Sequence, residues 1–374
     1  MHILQIYKEY PPVMGGIENH VRDLSEGLVA RGHYLTVLVT SRNRQTTIEQ
    51  PHKRLKIIKA AREIHAASTP LSTTMLRMAR RLHVDVAHLH FPYPPGDLVY
   101  HMLPDQPPLV VTYHSDVIRQ RTMLQLYRPL LEQTLRQAAR IIVTSPNYIA
   151  SSPFLSRHAT KCEVVPLGID PARFADADAA QVAELRARHS PDGMPLLLFV
   201  GRLRYYKGLH VLLDALPRVR ARLLVAGSGP EHDRLVAQAE RLELADRVCF
   251  LGDVPDDALP ALYHAADVFV LPAHLRSEAF GIVQLEALAS GLPCVSTELG
   301  TGTSFVNKQG ETGIVVPPND PAALARALNI LVANPALRQH FGENGRRRVA
   351  DIFDRERMVW HVEQIYRAVL KQSA

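Results

Sequence analysis

Short apolar runs alternate with amphipathic stretches from one end of the chain to the other, and that alternation restricts the fold more than any other feature. His2–Tyr7, Tyr34–Thr40, Val84–His90, Leu109–Tyr113, Arg140–Thr144 and Cys162–Pro166 read as strands. Between them lie helical stretches such as Ile17–Arg31, where Ile17, Val21, Leu24 and Leu28 share one face. This order predicts a parallel sheet with helices on both faces, the doubly wound α/β plan. The series then restarts with Pro195–Val200, Ala221–Ala226, Arg247–Leu251, Val268–Leu271, Pro293–Ser296 and Gly313–Val316. Between the two series, Asp170–Gly193 is rich in Ala, Asp and Pro and carries no strand signal. A chain of 374 residues suits two domains of ~150–200 residues each. The expectation is an N-terminal domain over 1–169, a linker over 170–189 and a C-terminal domain over 190–354. The closing segment 355–374 reads as a helix through Met358, Val362, Ile365 and Val369. Open sheets of this kind bind ligands at the carboxyl ends of their strands, so the expected site is a cleft between two Rossmann-like domains.

Composition excludes several classes. Lys plus Arg number 43 against 37 Asp plus Glu, a net +6 that is too mild for a nucleic-acid binder but suits a phosphorylated partner or an anionic membrane face. Cys162, Cys249 and Cys294 are too few and too scattered for a disulfide framework or a cysteine-rich zinc site. Lys8 and Glu9 interrupt the first ten residues before a signal-peptide core forms. The longest apolar run, near Met194–Val200, falls short of the ~20 residues that span a bilayer. A cytoplasmic location, at the inner face of the membrane, is therefore expected.

Three strings carry chemistry. The first strand leads into Gly15–Gly16 directly ahead of a helix, where close backbone approach and free N–H groups suit a phosphate. A plain glycine turn is the other reading. The strand ending at Val200 opens into Gly201-Arg202-Leu203-Arg204-Tyr205-Tyr206-Lys207-Gly208. Here Arg202 and Lys207 offer a fork donor and a point charge for a diphosphate whose charge grows as it leaves. Two solvated surface cations are the bland alternative, and no Walker loop is present. The strand ending at Leu271 runs into Glu278-Ala279-Phe280-Gly281-Ile282-Val283-Gln284-Leu285-Glu286. On one continuous helix the two glutamates would stand about 80° out of register at 100° per residue, so Gly281 is read as the break between them. Glu278 then lies on a loop, fit to accept from sugar hydroxyls. Glu286 lies in the first turns of a helix, fit to grip a ribose diol, while the N–H groups of Phe280, Gly281 and Ile282 face phosphates. Helix-dipole complementation accounts for Glu286 but not for Glu278.

The string from Glu278 to Glu286, with Ala-Phe-Gly inside it, resembles the E-x7-E motif of retaining GT-B glycosyltransferases of family 4. Gly201–Gly208 is similar to the diphosphate-binding segment of that family, and Gly15–Gly16 to its N-terminal glycine loop. The order and spacing match across nearly the whole chain. The resemblance implies two Rossmann-like domains, a nucleotide-sugar donor held mainly by the second, an acceptor held mainly by the first, and a final helix that packs back on the first. It assigns Glu278 to the donor hexose, Glu286 to the ribose, Arg202 and Lys207 to the diphosphate, and Gly16 to its other side. His114, in Tyr113-His114-Ser115-Asp116 after a strand, matches a family histidine that lines the donor sugar. With 18 histidines in the chain, a packing role is its alternative. Gly252-Asp253-Val254 follows another strand, where the backbone of Val254 would meet the base, and Gly227-Ser228-Gly229-Pro230 is similar to a family turn near the nucleotide.

Other features weigh less. Asp176-Ala177-Asp178 has the spacing of a metal-binding Asp-x-Asp but lies in the linker, where helix capping is the better account. His88 and His90 alternate on a strand as a metal pair would, yet lack a third ligand, so packing or site lining is expected. Arg119, Arg121, Arg128, Arg136 and Arg140 face a single acid, Glu132, with Arg77, Arg80 and Arg81 nearby in sequence. They read either as a solvated helix face or as a footing for anionic lipid or a polyprenyl-linked acceptor.

The function expected is retaining transfer of a hexose, first of all mannose from GDP-mannose, to a glycan or lipid-linked sugar in surface polysaccharide assembly. No cofactor and no metal is called for, and no nucleic-acid partner. A UDP-sugar donor, a GT-B sugar-nucleotide epimerase and a non-catalytic sugar-nucleotide binder are the alternatives.

Overall fold

A computed structural model describes residues 1–13, 15–66, 69–116 and 121–373. The chain divides into two compact units, Met1–Leu167 with Arg355–Ala374, and Gly168–Asp354.

The first unit is built on strands β1 (His2–Ile6), β2 (Tyr34–Thr40), β3 (Thr47–His52), β4 (Leu55–Ala60), β7 (Val86–Phe91), β8 (Leu109–Tyr113), β9 (Arg140–Val143) and β10 (Cys162–Val164). Two short strands, β5 (Ile64–Ala66) and β6 (Thr69–Leu71), pair with each other outside it. The large sheet runs β10-β9-β8-β7-β1-β2-β4-β3, parallel except where β3 turns back on β4. β1 lies between β2 and β7, so the strand order reverses beside it. The β3–β4 pair was not anticipated. Thr47–His52 is exposed along its length and Lys56 and Lys59 break the apolar pattern of β4, so neither resembles a strand buried on both faces. Pro51 is tolerated because β3 is an edge.

The first helix spans Gly16–Ala30 and buries Val21, Leu24 and Leu28, while Ile17 is only half-buried. Glu18 and His20 are buried in its first turns instead. The last helix, Arg355–Ser373, buries Met358, Val362, Ile365 and Val369 as its periodicity predicts, and packs on the first. Gly27 allows that contact, because a Cβ there would come within 2.6 Å of a Val359 methyl.

The second unit is a six-stranded, all-parallel sheet of β11 (Leu196–Val200), β12 (Arg222–Ala226), β13 (Val248–Gly252), β14 (Val268–Leu271), β15 (Cys294–Thr297) and β16 (Gly313–Val316). Its order is β13-β12-β11-β14-β15-β16. The chain builds outward from β11 through β12 to β13, then crosses to β14 on the other side, so β11 and β14 flank the topological switch point. Residues expected as a linker carry helix Ala179–His189, which packs against helix Leu259–Ala265 of the second unit. Asp178 caps that helix by accepting from the N–H of Ala180 at 2.8 Å, which accounts for the Asp-x-Asp string without a metal. Among the described residues, no helix is long and apolar enough to cross a membrane.

One position shows how tightly the switch point is built. Gly208 has φ +72°, and a Cβ on it would lie 1.9 Å from the carbonyl oxygen of Pro272. Gly208→Ala should therefore destabilise the protein by about 2–4 kcal/mol, through left-handed strain and a backbone clash together. A thermal melt followed by far-UV circular dichroism checks this; an unchanged melting temperature would contradict the close approach of the two loops.

Candidate active site

Every loop at the carboxyl edge of the second sheet is tied to its neighbour. The N–H of Gly201 donates to Ala226 O, that of Leu203 to Ser228 O, and that of Gly227 to Gly252 O at 2.6 Å. Ser228 Oγ donates to Asp253 Oδ2 at 2.8 Å, joining the loops after β12 and β13. On the other side of β11, the N–H of His274 donates to Tyr206 O, joining the loops after β11 and β14. The glycine-bracketed segment is thus a fixed platform, with Tyr205–Lys207 wound into one turn of 3-10 helix.

At that switch point Lys207 Nζ meets Glu278 Oε2 at 2.5 Å, both side chains nearly buried. Burial alone would lower the ammonium's pKa, but Glu278 and Tyr206 outweigh it and hold Lys207 above the ordinary lysine range. Lys207 also stands over the Tyr206 ring, 5.8 Å from its centroid. The sequence separates these two charges by 71 positions; the sheet brings them together because β11 pairs directly with β14.

Gly281 is the break that the sequence predicts. It sits at φ +75°, with a Cβ position only 2.7 Å from Gln284 Nε2 and from a Leu271 methyl, and helix Val283–Ala289 starts just after it. Thr301 Oγ1 donates to Glu278 O at 2.9 Å, and the N–H of Gly302 donates to Ala279 O at 2.7 Å, so the loop after β15 pins the glutamate loop from outside. Among the described residues, no intramolecular acceptor meets the N–H groups of Phe280, Gly281 and Ile282. They remain available to a ligand. Glu286 is half-buried and accepts from Tyr263 OH at 2.6 Å. Burial pushes its carboxyl up to about 7, against the opposing pull of the Tyr263 hydrogen bond and of Arg173. Two carboxylates eight residues apart therefore differ in state: Glu278 is ion-paired, and Glu286 is poised to gain or lose a proton near neutrality.

Arg202 is exposed, with no ion-pair partner among the described residues, so the structure does not join it to Lys207 and Glu278. Val254 is half-buried just beyond β13, next to Gly252 at φ +69°. In the first unit, Gly15 caps the first helix in extended conformation. A Cβ at Gly15 would lie 2.1 Å from Glu18 Oε2, so the chain's own carboxylate covers the helix end expected to meet phosphate. Gly16 has open space where a Cβ would be. His114 follows β8, its N–H donating to Phe91 O and its Nε2 3.0 Å from His90 Nδ1. His88 has packing partners, with Tyr366 OH at 2.5 Å and Thr112 Oγ1 at 2.7 Å.

In the basic region, Arg128 is exposed and pairs with Glu132 at 2.9 Å, as does Arg157. Arg119 lies outside the described residues, and Arg121 is described only as the first residue of helix Arg121–Gln137. A shallow concavity of about 690 Å³ between the first helix and the β3–β4 pair is lined by Arg22, Glu26, Glu49, Lys53 and Arg54. Sequence reading missed Tyr263, Thr301, His20 and Gln5, each of which meets its partner across elements distant in sequence.

Comparison with known proteins follows the same division. A family model described as "Glycosyltransferase Family 4" matches residues 14–173, and one described as "Glycosyl transferases group 1" matches residues 182–348. The D-rhamnosyltransferase WbpZ of Pseudomonas aeruginosa is 39% identical over 356 residues, spanning 94% of this chain and 92% of that one. The O-antigen chain mannosyltransferase C of Escherichia coli is 36% identical over 377 residues, spanning 100% of both. Among solved structures, a sucrose-phosphate synthase from Thermosynechococcus elongatus aligns with a TM-score of 0.84 at 25% identity, spanning 99% of each chain.

The raised Glu286 has a consequence for stability. Its folded pKa lies above the ordinary carboxylate value, so between that value and about 7 the native state binds more protons than the unfolded one, and stability falls as pH rises through the window. Glu286→Gln keeps an acceptor for Tyr263 and removes the ionisation. The variant should gain on the order of 1–3 kcal/mol over the wild type at pH 8 and little at pH 5. Paired thermal melts at the two pH values check this; a gain of equal size at both would show that charge is not the cause.

Proposed function

Because the chain belongs to the glycosyltransferases, matching both the family 4 and the group 1 models, we propose that it transfers a manno-configured hexose from a GDP-sugar to a growing surface polysaccharide with retention of anomeric configuration. The observation that carries the donor side is the buried Lys207–Glu278 pair at the switch point between β11 and β14. The sugars named for the two relatives above, D-rhamnose and mannose, share one ring configuration and differ in the oxygen at C6. That kinship favours a manno-configured donor, with a UDP-hexose as the second choice.

In this reading the second unit holds the donor. Lys207, joined by Arg202 and the free N–H groups of residues 280–282, takes the diphosphate and stabilises the charge that grows as the sugar–phosphate bond breaks. Glu278 is released by its lysine partner to accept from hexose hydroxyls. Glu286, oriented by Tyr263, accepts from the ribose diol, and the backbone at Val254 borders the base. The acceptor hydroxyl attacks from the face the diphosphate leaves and passes its proton to the departing phosphate oxygen. No metal enters this step. The acceptor is assigned to the first unit, and the exposed Leu126 and Arg128 on helix Arg121–Gln137 suit an anionic lipid surface that carries a lipid-linked acceptor.

Two measurements test this. GDP-mannose should raise the melting temperature of the purified protein and be hydrolysed slowly without acceptor, and UDP-glucose should do less; no shift with either would remove the donor assignment. Lys207→Ala should lower turnover by roughly 100-fold or more, the usual cost of losing such a stabiliser. An unchanged turnover would take Lys207 out of the reaction.

A further inference from the structure

The first unit carries an exposed indole at the edge of its sheet opposite the strand carboxyl ends. The first helix runs back from the carboxyl end of β1 and stops at Arg31, just before β2 begins beside the start of β1. The last helix packs there, with Glu356, Trp360 and Glu363 spaced i, i+4, i+7 along one face. Arg31 reaches Glu356 Oε2 at 3.5 Å and Glu363 Oε2 at 3.4 Å, so its guanidinium is held on either side of the indole position. Trp360 is nevertheless 46% exposed, an unusual place for the single tryptophan of the chain.

Arg31, Glu356, Arg357, Trp360 and His361 line a concavity of about 380 Å³, within the ~300–1,000 Å³ of small-ligand sites. Residues 29 and 30 line the larger concavity against the β3–β4 pair, so the two hollows are neighbours at the end of the first helix. The groups around the indole are chemically varied. Glu356 accepts hydrogen bonds, and Arg31 and Arg357 donate them. Burial and the neighbouring Arg357 hold His361 below the ordinary histidine range, so its neutral ring offers one donor and one acceptor.

That mixture discriminates between occupants. An anionic membrane favours charge of one sign and several apolar side chains that insert together. Here acids stand among bases in both hollows. Among the described residues, Trp360 is the one large apolar side chain exposed on the last helix. The core of a protein interface is likewise apolar and poor in charge. A pyranose ring meets the requirements: one face of C–H groups lies flat on an aromatic surface, while the hydroxyls around its edge both donate and accept.

We propose that Trp360, with Arg31, Glu356, Arg357 and His361 around it, binds a pyranose unit of a neutral glycan chain, a second sugar site contained in the first unit. The ligand class rests on the polysaccharide product argued under the proposed function. A chain anchored on the protein presents its growing end at a higher effective concentration than a free one.

Emission from the single tryptophan reads this site directly. Adding α-linked mannotetraose to the full-length protein should shift that emission to the blue and saturate, because a sugar ring displaces water from the indole. Trp360→Ala, followed by calorimetry, should bind mannotetraose about 10-fold or more weakly, as loss of an aromatic anchor does. A thermal shift with GDP-mannose but no emission change with mannotetraose would overturn this inference and leave the donor reading standing. An emission change without a GDP-mannose shift would support the sugar site and remove the donor reading. A blue shift with phosphatidylglycerol vesicles and none with mannotetraose would overturn the proposal in favour of a membrane face. Unaltered binding by Trp360→Ala would also overturn it. Should that variant fail to fold, Arg357→Ala keeps the fluorophore, and an unchanged titration with mannotetraose gives the same negative answer.

Discussion

A lysine and a glutamate out of water, 2.5 Å apart at the place where the strand order reverses, set the terms for the rest of the second unit. Taking two charges from solvent costs several kcal/mol per ion, and mutual attraction offsets this only when geometry and further contacts are good. Here the contacts are local and rigid. Gly208 lets the first loop touch the carbonyl of Pro272, Thr301 and Gly302 hold the backbone of the glutamate loop, and Gly227 lets the loop after β12 pass close to Gly201. A buried pair of this kind is weak evidence for stability as such. Its better explanation is readiness: each charge is held by one partner that a ligand carrying both phosphate and hydroxyls can replace.

The two glutamates of the same string illustrate how environment separates chemical roles. Glu278 faces an ammonium and lies before the left-handed Gly281; Glu286 lies after it, on a short helix, facing a phenol. One is a charge balanced by an opposite charge. The other is a carboxyl whose burial outweighs its hydrogen bond, so that its ionisation sits near neutrality. A ligand that offers hydroxyl donors to Glu286 favours the ionised form, which couples ligand binding to proton loss at that position.

How much of this was legible in the sequence follows from range. The all-parallel second sheet was readable strand by strand, because strands buried on both faces are continuous apolar runs. The Lys207 segment and the E-x7-E string were readable because glycines and charges sit within a few residues of each other. The β3–β4 pair was not, since an edge strand with one solvated face has no such run. Nor were Tyr263 and Thr301, which are ordinary residues until a helix and a loop distant in sequence bring their hydroxyls to Glu286 and to the carbonyl of Glu278. His114 could be placed after its strand, but that its ring would join His20 and His90 depended on the angle of the first helix, which no spacing encodes.

The two units handle buried polarity in opposite ways at equivalent places. The second sets its buried ion pair, Lys207 with Glu278, on loops past the strand ends, where charge balances charge. The first carries them into the sheet itself, where Gln5 on β1 and His88 and His90 on β7 are fully buried side by side. A charge there would have no counter-ion among these groups, so the chain uses neutral ones linked in series, Thr112 to His88 to Tyr366 to Gln5 to His90 to His114. Tyr366 belongs to the last helix. Apolar packing along Met358, Val362, Ile365 and Val369 would tolerate a slide of that helix, whereas a phenol that must reach both Gln5 and His88 fixes where it stops. The closing helix is thus keyed to the central strands of the first unit by hydrogen bonds as well as by shape.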